Sequence, residues 1–70
     1  MSCKYYSVLR PVSMGTFPKI KNNHIISIEN FDERIFCVEI NRPAWGYIEY
    51  EMPVEDELLK QYELIKGEQK

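Results

Sequence analysis

The sequence predicts an α+β fold, a four-stranded, mostly antiparallel sheet with one C-terminal helix packed on one face. Three observations lead there. Seventy residues hold one small domain, spanning 1–70, because two cores cannot be assembled from so little chain. Four short runs rich in branched and aromatic residues are separated by Pro, Gly, Asn and Asp, the punctuation of strands and turns. The segment after Pro53 puts acids first and a spaced apolar set behind them, as a helix does. Hydrophobic residues at 44% and charged residues at 29% exclude a disordered or collagenous chain.

The first strand is expected over residues 5–9, Tyr-Tyr-Ser-Val-Leu, stopped by Arg10-Pro11. Residues 11–18 read as a loop, with Pro11 and Pro18 bracketing Gly15, a residue free to take positive φ. A polar connection around Ile20 leads to a second strand at 24–29, with Ile26 and Ile28 on one face. Asn30-Phe31-Asp32-Glu33 supplies turn chemistry, and a third strand follows at 34–40. Both faces of that third strand are largely apolar, which predicts a central position. Asn41-Arg42-Pro43 breaks the run before a fourth strand at 44–50. There Trp45, Tyr47 and Glu49 alternate with Gly46, Ile48 and Tyr50, and Gly46 marks a bulge or a close backbone approach. Pro53 suits a helix entrance, Glu55, Asp56 and Glu57 suit its first turn, and Leu58, Leu59 and Tyr62 form its apolar stripe. Residues 62–65 fit either a longer helix ending at Gly67 or a short extended tail.

Charge is distributed unevenly. Residues 1–28 hold Lys4, Arg10, Lys19, Lys21 and His24 and no acid, whereas residues 29–63 hold ten acids against three bases. Such asymmetry marks a docking or nucleic-acid face, unless the fold mixes the two halves in space. Cys3 is expected in a mobile terminus and Cys37 as a small buried hydrophobe, without the spacing of a zinc site or a disulfide framework. No run approaches the roughly 20 apolar residues of a membrane span, and residues 1–11 lack a signal-type apolar run. A cytoplasmic location is the expectation.

Catalysis fails on inventory, since the single histidine, His24, has no nucleophile motif near it. No enzyme, no cofactor and no metal site are therefore expected. Glu49, Glu51 and Glu55–Glu57 cluster without metal-ligand spacing, and isolated glycines make no phosphate cradle. Aromatic residues interleaved with Lys4, Arg10, Lys19 and Lys21 suit single-stranded nucleic acid, but four cations beside an acidic segment give a weak electrostatic footprint. A protein-binding surface uses the same residues more economically. The acidic stretch at 49–57 could also imitate a nucleic-acid backbone.

The run Tyr5-Tyr6-Ser7-Val8-Leu9-Arg10-Pro11, continuing through Gly15-Thr16-Phe17-Pro18-Lys19, resembles domains of bacterial mobile elements of the large polyvalent protein-associated kind. So do Asn30-Phe31-Asp32, Ala44-Trp45-Gly46-Tyr47-Ile48-Glu49-Tyr50, Pro53 and Tyr62-Glu63-Leu64. The resemblance implies a phage or conjugative-element setting, in which small accessory proteins inhibit CRISPR effectors or restriction enzymes. It implies no catalytic residue. Arg10, Pro11, Gly15, Thr16, Phe17 and Pro18 would form a shared surface or close one end of the sheet.

The expected function is stoichiometric, non-enzymatic binding to a host or mobile-element protein, such as a defence nuclease complex. Partner contacts are expected at Arg10, Phe17, Lys19, Trp45, Tyr47, Glu49 and Glu51, with Trp45 or Tyr47 as the anchor. A small nucleic-acid-binding accessory protein is the alternative, and a homodimer through an unpaired edge strand is a further option.

Overall fold

Alternation along the strand richest in aromatic residues sets the architecture. In a computed structural model describing residues 2–69, Arg42–Tyr50 forms β3, and its Ala44, Gly46, Ile48 and Tyr50 are all buried while Trp45, Tyr47 and Glu49 are half-buried. β1 (Cys3–Ser7) lies antiparallel beside it, pairing Tyr5 with Ile48 and Cys3 with Tyr50. The side chains of one parity therefore share one face. β2 (Ile25–Cys37), the short helix α1 (Asp56–Tyr62) and β4 (Leu64–Gln69) complete the fold. The sheet order is β2-β3-β1-β4, with every neighbouring pair antiparallel. The α+β class with four strands and one short helix is the one the sequence predicts.

The core lies on the face of Cys3, Tyr5, Ile48 and Tyr50. Val12 and Phe17 from the 8–24 loop, Val54, Leu59 of α1 and Leu64 of β4 close over it. Two tyrosine hydroxyls fasten this cover. The Val54 amide donates to Tyr5 Oη at 2.9 Å, and Tyr50 Oη donates to the Pro18 carbonyl at 2.6 Å. Their rings meet edge to face with centroids 5.8 Å apart. Asn23 adds a double clasp, accepting from the Met52 amide at 2.7 Å and donating to its carbonyl at 2.9 Å. A buried polar group with both partners in place holds a loop without the penalty of an unpaired one.

Several elements differ from expectation. The expected strands at 24–29 and 34–40 are two ends of one strand, β2. Asn30 stays extended and its side chain accepts from the Val12 amide at 3.3 Å, so its turn chemistry serves the loop instead. Asn30 pairs with Gly46 and Ile35 with Ala44, so residues 31–34 form a wide bulge opposite Trp45. The chain reverses at 38–41, where Asn41 takes φ 55° and its amide bonds Val38 O at 3.2 Å. Arg42 and Pro43 thus belong to β3 and do not break it.

The segment predicted to be central is at the edge, and Val38 beyond it is 87% exposed. Apolar composition shows a preference for burial, but a chain this short has no further element to supply it. The fourth strand is the extended tail. Glu63 adopts the left-handed region at φ 57°, ends α1 there, and returns Leu64 to the core. Gly67 is a strand residue and no helix stop, because a Cβ there would sit 2.4 Å from the Tyr6 ring. Cys3 is buried within β1, since pairing on both sides fixes a segment expected to be mobile.

Candidate functional site on the open sheet face

The helix and the long loop cover one face of the sheet. The other face is built from the opposite parity, Lys4 and Tyr6 of β1 and Tyr47 and Glu49 of β3. Pairing sets Lys4 opposite Glu49 and Tyr6 opposite Tyr47. Tyr47 is the hub. Its ring centroid is 5.7 Å from that of Tyr6 and 6.3 Å from that of Phe31, and Lys4 Nζ stands 4.5 Å from it. Phe31 reaches the hub from the β2 bulge, and Glu29 of β2 pairs opposite Tyr47. An aromatic patch held by three neighbours, with a cation over it and carboxylates beside it, presents a rigid surface for docking.

The hairpin end closes one side of this patch. Cys37 and Ile40 pack with Tyr6, Val8 and Ala44, and Tyr47 and Ile65 join them. Burial, with a hydrogen bond to the Glu39 carboxylate next in importance, pushes the Tyr6 hydroxyl well above its ordinary ionisation range. Burial and the charge of Glu39 likewise push the Cys37 thiol up, which leaves it a poor nucleophile. Both cysteines are free.

Tyr47 and Glu49 therefore lie on one face at alternate positions, while Trp45 is half-buried where β3 passes the bulge and its neighbour Ala44 packs with Tyr6 and Val8. The other expected contacts lie elsewhere. Phe17 is 8% exposed and belongs to the core, so it is no surface anchor. Its flanking prolines shape a loop whose aromatic side chain points inward, as apolar area in a small domain requires. Arg10 sits at the end of α1, bonding the Tyr62 carbonyl at 3.5 Å and the Glu63 carboxylate, so it caps the helix C-terminus. Its own carbonyl accepts from Ser7 Oγ. Lys19 is exposed on the loop over the core face, next to Pro18. Glu51 is exposed just beyond β3, where its amide bonds His24 O at 2.8 Å. Lys4, Tyr6 and Phe31 are members of the patch that the expected contact set omits. Alternation within β1 carried the signal for the first two, whereas Phe31 lay hidden in an apparent turn.

A cavity of about 510 Å³ opens at the end of the sheet between Leu9, Leu59 and Leu64, with Arg42 and Lys60 at its margin. No histidine, cysteine or serine lines it. Among the described residues, no group of three or more His, Cys, Asp or Glu side chains is placed to hold a metal ion. Among them, too, no helix is long and apolar enough to cross a membrane.

No curated protein and no solved structure matches the chain. Its sequence does match one family over residues 1–69. On that match the chain belongs to the Defence against restriction A C-terminal family, an anti-restriction-related domain.

Proposed function

We propose that the domain counters a restriction enzyme by binding a protein component of it stoichiometrically, without turnover, through the open sheet face. The observation that carries this is the Tyr47 hub, a half-buried aromatic ring fixed by Tyr6, Phe31 and Lys4 on a face that no helix covers. Fixing the ring before binding lowers the ordering cost of an interface. Glu29 and Glu49 border the anchor and suit a basic groove, which is what a surface that handles DNA offers. A cytoplasmic site of action and a phage or conjugative-element setting fit this role, because restriction acts on DNA entering a cell. Defence nucleases guided by RNA present basic grooves of the same kind and belong in the same test.

The test is a cleavage assay in which purified domain is titrated against restriction complexes at fixed DNA concentration. The expected result is loss of cleavage that saturates near one domain per binding site, with a nuclease-resistant complex recovered by pull-down. Binding to DNA alone, with affinity falling steeply with salt, would overturn the proposal in favour of nucleic-acid binding. Charge reversal of Glu49 and Glu51 that left affinity unchanged at low salt would remove the imitation of a DNA backbone.

A further inference from the structure

We infer that the cavity at the end of the sheet binds a small aliphatic carboxylate, its chain against the leucines and its head at Arg42 and Lys60. Four separate segments build this site: the stretch just after β1, the start of β3, α1 and the start of β4. Val8, Leu9, Leu59, Leu64 and Ile65 enclose about 510 Å³. Concave, mostly apolar sites of roughly 300–1,000 Å³ are the form that small-molecule sites take. Val8, Leu59 and Leu64 are buried and form the floor, while Leu9, 57% exposed, stands at the lip. The floor belongs to the packed clusters on both sides of the sheet, so it cannot collapse into the space without losing that packing. Water against such walls finds few hydrogen-bond partners, and a chain that displaces it gains.

Charge at the margin selects the head group. Residues 29–63 hold ten acids and three bases, yet two of those bases, Arg42 and Lys60, come to this cavity from β3 and α1. Both are exposed, and neither forms an ion pair among the described residues. Two acids stand near them. Glu63 is already paired with Arg10, which also bonds the Tyr62 carbonyl at the end of α1. That leaves Asp56, in the first turn of α1, against two cations. The excess of one positive charge matches a monoanion and repels a cationic head. A carboxylate suits both bases, since it accepts from an Arg fork and a Lys ammonium alike.

Decanoate, kept below its micelle threshold, is the probe, followed by methyl NMR and titration calorimetry. The expected result is a single site, with shifts concentrated at the methyls of Leu9, Leu59, Leu64 and Ile65. Affinity should stand about tenfold above that of octanoate, which has two methylenes fewer to bury. Decylammonium should bind about tenfold more weakly than decanoate. Lys60→Glu should weaken decanoate about fivefold, and Asp56→Asn should strengthen it. Leu9→Asp, at the exposed lip, should abolish binding with an unchanged circular dichroism spectrum. If Leu9→Asp fails to fold, the head-group and Lys60 comparisons decide alone. Absence of shifts at these methyls in millimolar decanoate would overturn the inference. So would binding indifferent to both head-group charge and Lys60→Glu, or shifts confined to the Tyr47 patch.

Discussion

The Lys4 ammonium stands over the Tyr47 ring, 4.5 Å from its centre, and Glu49 lies directly across the ladder from Lys4. One cation thus serves an aromatic face and sits opposite a carboxylate, and the ring keeps its orientation in the free domain. Tyr47→Leu retains apolar cover over Tyr6 but removes the ring. The expected loss in affinity for the restriction complex is about thirtyfold or more, the range of an interface hot spot, read by titration calorimetry. Arg10→Ala, which removes only the helix cap, should leave that affinity unchanged and lower the melting temperature slightly.

Tyr5→Phe removes the oxygen that accepts from the Val54 amide in the core. The buried N–H then has no partner, at a cost of about 1–3 kcal/mol. For a domain of this size that is a drop in Tm of roughly 4–8 °C per kcal/mol, measurable by thermal denaturation. Tyr50→Phe, which orphans the Pro18 carbonyl, should behave similarly.

Gly46→Ala should unfold a large fraction of the domain. Its Cβ would lie 2.2 Å from the Glu29 carbonyl oxygen and 2.9 Å from Val12, and a paired backbone has no room to give. The expected loss is above about 3 kcal/mol, seen as a much lower urea midpoint. Gly15→Ala is the control. Its φ of +88° strains an alanine, but nothing lies within 4 Å of the new methyl, so the cost should be near 1 kcal/mol.

Alkaline pH should unfold the protein in a defined direction. Burial raises the ionisation of Tyr5, Tyr6 and Tyr50 above the ordinary value of 10.0. Below that value both folded and unfolded chains keep these hydroxyls protonated, so stability is flat with respect to them. Above it the unfolded chain loses protons that the folded chain retains. Stability then falls by up to about 1.4 kcal/mol per pH unit for each buried tyrosine. The part of the tyrosinate absorbance that belongs to Tyr5, Tyr6 and Tyr50 should therefore rise together with loss of the circular dichroism signal, and each Tyr→Phe variant at these positions should remove a share of that coupled rise.

Much of the sheet was legible locally. Alternation in Trp45, Tyr47 and Glu49 against Gly46, Ile48 and Tyr50 identifies β3 and its two faces, because strand side chains alternate with period two. The demand for a close approach at Gly46 and a positive φ at Gly15 also follows from residue type. The Tyr47 hub was only half legible. Its β3 members follow from spacing, but Phe31 joins from a bulge that no periodicity announces.

The sequence by itself determined the class of fold, the alternation along β3 and the acid-led start of α1, all of which depend on neighbours within a few residues. Tertiary structure alone decided that residues 24–40 hold a single bulged strand, because the turn signal at Asn30 is satisfied by Val12, 18 residues away. It also decided that Phe17 turns inward and that Leu64 leaves the helix for β4. Each is settled by which surface remains to be covered once the sheet has formed, and that is a property of the whole chain.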